Sequence, residues 1–238
     1  IESDATGDIK NIFDDIKNVT GVDVVNLVWR RLATTQNALP YLWGVLRPLY
    51  ESGFINHQAV EFQNQLVLPR LPKFKDEILL ASGIDKLGKI TINNILLSYN
   101  QTNTVNLIAL QAALITLEGV KDATLDQTHK KTTNVSLLPM PRLPAISDLN
   151  PTIISLVEEL NSLGEEDGTI IASMYRHLAY WPNYLALVKI ALEPIASSGE
   201  LKRAIDKSRE QSAEKALSLS KFLAPFPPSI SSSCSYEI

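Results

Sequence analysis

Apolar residues recur along this chain at spacings of three and four. Ile9, Ile12, Phe13, Ile16 and Val19 set the rhythm; Val25, Val28, Trp29 and Leu32 resume it; Leu39, Leu42, Trp43, Leu46, Leu49 and Tyr50 continue it. Such spacing puts these side chains on one face of a 3.6-residue helix, and no stretch alternates as a half-buried strand would. After these three, the pattern predicts helices near residues 57–67, 77–83, 90–99 and 104–118, and later near 152–163, 168–180, 184–196 and 200–223. Asn37 is placed to cap the third helix, Pro40 suits its first turn, Gly53 its end, and Pro48 a late kink. Proline-rich stretches at 69–72, 139–144 and 225–228 read as connectors. The expected class is all-α.

The chain also resembles itself. Residues 29–53 align without a gap onto residues 175–199, at an offset of 146, with nine identities in twenty-five positions. The pairs include Arg30/Arg176, Asn37/Asn183, Pro48/Pro194 and Gly53/Gly199. Upstream the match resumes at an offset of 144, where Asp14 and Asp15 face Glu158 and Glu159. A period this long exceeds that of solenoid units and points to a duplicated half. The expected organisation is a first helical repeat over 1–142 and a second, shorter one over 143–238. The two would be related by a pseudo-twofold axis and form one compact unit with a cleft between them.

Composition narrows the chemistry. With 22 Lys+Arg against 26 Asp+Glu in 238 residues, the chain has no basic excess of the kind that nucleic acid or an anionic membrane selects. Its longest apolar stretch, 105–117, is broken by Asn106, Gln111 and Thr116 and falls short of the roughly 20 residues of a membrane span. The single Cys234 excludes an intramolecular disulfide, a Cys-x-x-Cys site and dithiol redox chemistry, and fits a reducing, cytoplasmic setting. His57, His129 and His177 lack metal-ligand spacing, so no metal is expected. No Gly-x-Ser-x-Gly elbow, dinucleotide fingerprint or phosphate loop occurs.

What polar chemistry remains is scattered. Arg30 and Arg176 could each clamp a carboxylate or form a salt bridge between the repeats. The three tryptophans read as core or cleft wall, or as indole donors to an anion. The stretch 98–103, Ser-Tyr-Asn-Gln-Thr-Asn, joins two predicted helices, so that Asn100 and Asn103 could reach the cleft while Thr102 or Asn103 caps the following helix.

The runs 25–33 and 43–53, together with 98–103, resemble the group I α-haloacid dehalogenases, the D,L-2-haloacid dehalogenases. These are duplicated all-α chains related to the alkyl-hydroperoxidase-D-like fold, and the resemblance covers roughly residues 9–223. It implies a cofactor-free hydrolase that binds a short 2-halocarboxylic acid between its repeats, where an aspartate activates water for direct attack on the halogen-bearing carbon. By that resemblance the family's aspartate would fall within Ala172-Ser173-Met174, where this chain carries a thioether that cannot accept a proton. Asp167 or Glu166 would then take the base role, with Asn100 and Ser173 orienting carboxylate and water. Val24, Leu27, Asn103, Ala172 and Met174 would line the substrate, Val24 and Leu27 being aliphatic where the family has an aromatic wall. The alternative is a relative that binds a small carboxylate or apolar metabolite without this turnover. Among partners, a small carboxylic acid and a second copy of the chain are expected, and nucleic acid and membrane are not.

Overall fold

The three-and-four rhythm becomes helix throughout. The computed structural model describes residues 2–117, 140–164 and 171–224, and among them there is no strand. Its helices are α1 (Gly7–Thr20), α2 (Leu27–Leu32), α3 (Ala38–Glu51), α4 (Phe54–Gln65), α5 (Asp76–Ala81), α6 (Lys86–Leu117), α7 (Pro151–Ser162), α8 (Ser173–Leu178), α9 (Pro182–Ser197) and α10 (Glu200–Ser220). No helix among the described residues is long and apolar enough to cross a membrane.

One expectation fails. The helices expected near 90–99 and 104–118 prove, as far as Leu117, to be a single helix, α6, rather than two helices joined at 98–103. After Gly88 in its first turn the helix contains no further glycine and no proline, and two of its threonines bond back to it without breaking the ladder. Thr91 and Thr116 donate to the carbonyls of Leu87 (3.0 Å) and Ala112 (2.8 Å), four residues back. Thr102 and Asn103 therefore lie in mid-helix and cap nothing. Asp85 marks the real start, its Oδ1 accepting from the Gly88 N–H at 2.7 Å.

Contacts divide the chain into two units, each discontinuous in sequence. Unit one comprises 1–66, 101–137 and 209–238; unit two comprises 67–100 and 138–208. In unit one the apolar face of α1 (Phe13, Ile16) packs with Trp29 and Leu32 of α2, and with Leu39, Leu42, Leu46 and Leu49 of α3. Ile108, Ala109, Ala112 and Ala113 of α6 and Leu219 of α10 complete that core. Burying each large apolar side chain contributes about 1.5–3 kcal/mol. In unit two, Ile92, Ile95 and Tyr99 of α6 pack with Val157 and Leu160 of α7, Leu178 of α8 and Leu185 of α9.

Local signals explain where several helices begin and end. Asn26 and Asn150 cap α2 and α7, their side chains accepting from the N–H groups of Val28 and Thr152. Asn37 occupies the cap position of α3 in a left-handed conformation (φ 62°), but its side chain makes no capping bond. α2 and α8 start and end 146 residues apart, and so do the starts of α4 and α10. Gly53 and Gly199, also 146 apart, both turn the chain at positive φ (74° and 72°), where L residues are strained. An acidic residue ties the neighbouring helix in each unit: Asp15 of α1 pairs with Arg47 of α3, and Glu159 of α7 with Lys189 of α9.

Gly199→Ala is expected to lower stability by about 1 kcal/mol, the cost of a Cβ in the left-handed region. Urea unfolding of the full chain checks it; an unchanged midpoint would mean that the turn relaxes.

Candidate functional site

The strongest candidate for a ligand site lies within unit one. Ile16 and Val19 of α1, Trp29 of α2 and its cap Asn26, Tyr50 of α3, Asn56 of α4, and Gln101, Thr102, Val105 and Asn106 of α6 contribute to its wall. They border an open cleft of about 430 Å3, counted out to its mouth. None of the described residues lining it is acidic or basic.

A buried polar triad closes one side. Asn106, in mid-α6 and 7 % exposed, accepts two hydrogen bonds at its Oδ1: from the Trp29 indole N–H (3.2 Å) and from the Tyr50 hydroxyl (2.7 Å). An indole nitrogen can only donate, so the carboxamide oxygen must face Trp29 and the NH2 must point elsewhere. Burial pushes the Tyr50 phenol well above its ordinary value, which keeps it a donor at any ordinary pH. Asn106 thus satisfies both the Trp29 and the Tyr50 donor.

Aromatic edges hold the triad in place. The Trp29 ring meets Trp43 edge-on at 5.5 Å and Tyr50 at 6.1 Å, and Trp43 and Tyr50 lie 5.4 Å apart. Trp43 is anchored in turn, donating its indole N–H to Asp15 Oδ2 at 2.7 Å. Arg47 donates to both oxygens of the same carboxylate, at 2.8 and 3.2 Å, and to Glu51. The Arg47 guanidinium is the main reason that the Asp15 carboxyl lies below its ordinary 3.8; burial opposes it and the Trp43 indole assists. An indole donor to an anion thus exists, and the anion is the protein's own Asp15.

The residues expected from sequence fall elsewhere. Val24, Leu27 and Asn103 belong to unit one, but none is among those found lining its cleft. Asn103 is exposed, and its Oδ1 accepts from Asn26 Nδ2 at 2.7 Å, tying the α2 cap to α6. Asn100, exposed on α6, and Ala172, Ser173 and Met174 belong to unit two. Ser173 is buried as the first residue of α8, and the Ala172 N–H before it donates to Asn161 Oδ1 at 2.9 Å. Met174 packs against the core of unit two. Asp167 and Glu166 lie outside the described residues, as do His129 and Cys234.

Two further candidates take structural roles in unit two. Arg176 donates to the Pro144 carbonyl, pinning the proline-rich connector. His177 is fully buried: its Nε2 faces the Pro141 carbonyl (3.0 Å) and so carries the proton, leaving Nδ1 to accept from the Tyr99 hydroxyl at 2.8 Å. No group of His, Cys, Asp or Glu among the described residues could hold a metal ion.

Asn106 is the residue that sequence reading missed. It looks there like a flaw in an apolar run. The available signal was its place on the same helical face as Ala109 and Ala113, since a polar group on a buried face requires a partner.

No family model matches the chain, and no curated protein matches it either. Solved structures do match it. One, described as the complex structure of a D-2-haloacid dehalogenase mutant with D-2-CPA, is 17 % identical; the match covers 99 % of this chain and 86 % of that one, with a TM-score of 0.70. Another, described as a D-2-haloacid dehalogenase mutant, is 16 % identical over 99 % of this chain and 86 % of that one, at a TM-score of 0.68. At such identity the likeness shows a shared all-helical fold. It also corrects the family inferred from sequence: the matching structures are D-2-haloacid dehalogenases, not the group I D,L-2-haloacid enzymes. The quoted runs fall in helices α2, α3 and α6, and helical runs of this kind are not specific to one family.

Asn106→Leu is expected to destabilise the protein by about 1–3 kcal/mol for each of the two donors it strands. Asn106→Leu made in a Trp29→Phe, Tyr50→Phe background strands neither donor and is expected to cost less there; chemical denaturation compares the two backgrounds, and equal losses would count against the triad. Because the Asp15 carboxyl is lowered on folding, its stabilisation is present above the unfolded carboxylate range and fades as pH falls through the folded value. Asp15→Asn is therefore expected to be less stable than the parent at pH 7, with the gap narrowing by pH 3. A gap independent of pH would contradict the pairing.

Proposed function

We propose that this chain is a dehalogenase-like hydrolase of short 2-halocarboxylic acids that needs no cofactor. The observation that carries the reading is the match of 99 % of the chain to a D-2-haloacid dehalogenase fold at a TM-score of 0.70. In the reaction, water oxygen attacks C2, the carbon–halogen bond breaks, halide leaves with the bonding pair, and a base accepts the proton from water. Asp167 is the proposed base, with Asn100 and Ser173 orienting carboxylate and water. The matched spacing of α2 with α8 and of α4 with α10 supports the reading that the chain is a duplicated helical half.

A second reading has a specific observation behind it. Among the described residues no carboxylate lines the unit-one cleft. A general base needs both reach and proton affinity. On this reading the protein binds a small molecule without hydrolysing it.

The two readings part in one assay. The first expects halide release from D-2-chloropropionate or its L enantiomer, lost in Asp167→Asn while the variant keeps its helical circular dichroism. No release above the buffer control from the folded parent, with either enantiomer, overturns it and favours binding without turnover.

A further inference from the structure

The unit-one cleft has a chemistry of its own, independent of the haloacid reading. Asn106 is buried, its oxygen is committed to Trp29 and Tyr50, and the one group it has left is its NH2. Among the described residues nothing accepts from that NH2, although Asn106 borders the cleft. The two donors behind it prevent a flip of the amide, because a flip would set NH2 against an indole N–H. The cleft therefore meets a hydrogen-bond donor of fixed orientation, with the apolar side chains of Ile16, Val19 and Val105 beside it.

Charge then selects the ligand. A carboxylate entering this cleft would lose hydration and find no cation among the described lining residues, and an unpaired buried charge is far costlier than a buried neutral acceptor. A carbonyl asks for one donor and tolerates apolar walls on its other sides. We propose that the unit-one cleft binds a small uncharged molecule through a carbonyl-type acceptor hydrogen-bonded to Asn106 Nδ2, with its short apolar body against Ile16, Val19 and Val105. Trp29 and Tyr50 are positioning residues for that donor.

Isobutyramide and isobutyrate form a matched pair of probes, alike in shape and different in charge. The full chain is titrated with each at pH 7, following the side-chain amide and indole signals of Asn106 and Trp29 by NMR. The expected result is saturable shifts with isobutyramide, and affinity for isobutyrate weaker by about tenfold or more. Asn106→Asp keeps the acceptor for Trp29 and Tyr50 but removes the donor, and is expected to weaken isobutyramide binding about tenfold. Val19→Trp, which fills the cleft and leaves Asn106 in place, is expected to abolish it. Equal affinity for the two probes, undiminished binding in either folded variant, or no saturable shift in the parent would each overturn the proposal. Halide release has no bearing on these readouts, so the two ideas stand or fall separately.

Discussion

Two hydrogen-bond donors buried in an apolar core need an acceptor, and in unit one Asn106 supplies it. An indole N–H or phenol O–H left unpaired in such surroundings costs about 1–3 kcal/mol, comparable with the burial of a whole leucine side chain. One carboxamide oxygen meets both demands, at 3.2 and 2.7 Å. Because its partners come from α2 and α3, the bond pair also fixes the α6 register against those helices. The Trp43 edge contacts and the Asp15–Arg47 pair extend that fixation to α1. A polar constraint thus decides how the apolar faces meet.

The helical class and most helix positions were legible because period and end signals are local. Gly53 could be read as a stop because a left-handed turn strongly favours glycine there, and the structure gives it a φ of 74°. The break expected at 98–103 was not real: six residues with polar side-chain groups looked like a loop, yet polar side chains can remain in a helix, as Thr91 and Thr116 do by bonding four residues back. The triad was illegible for a different reason. Asn106 lies 77 positions from Trp29 and 56 from Tyr50, and no periodicity links residues so far apart. The candidate residues at 172–174 followed a family resemblance, and the structure places them at the start of α8 in unit two, with Ser173 buried and Met174 packed on the core.

Fold and chemistry point in different directions, and both are informative. The architecture is shared with D-2-haloacid dehalogenases along nearly the whole chain, but architecture does not carry activity where the acting residues differ. The described residues lining the unit-one cleft carry no charge. The chain provides a helical scaffold that holds the Asn106 amide in a fixed orientation at a cleft wall. A site of that kind suits recognition of a dipole better than capture of an anion.

The central claim is that the buried Trp29 indole N–H is locked to Asn106, and hydrogen exchange at that single proton tests it most directly. The account predicts that in deuterated buffer the Trp29 indole signal persists far longer than that of a free indole, and that Asn106→Ala shortens its lifetime strongly. Rapid exchange of the Trp29 indole in the folded parent protein would contradict it.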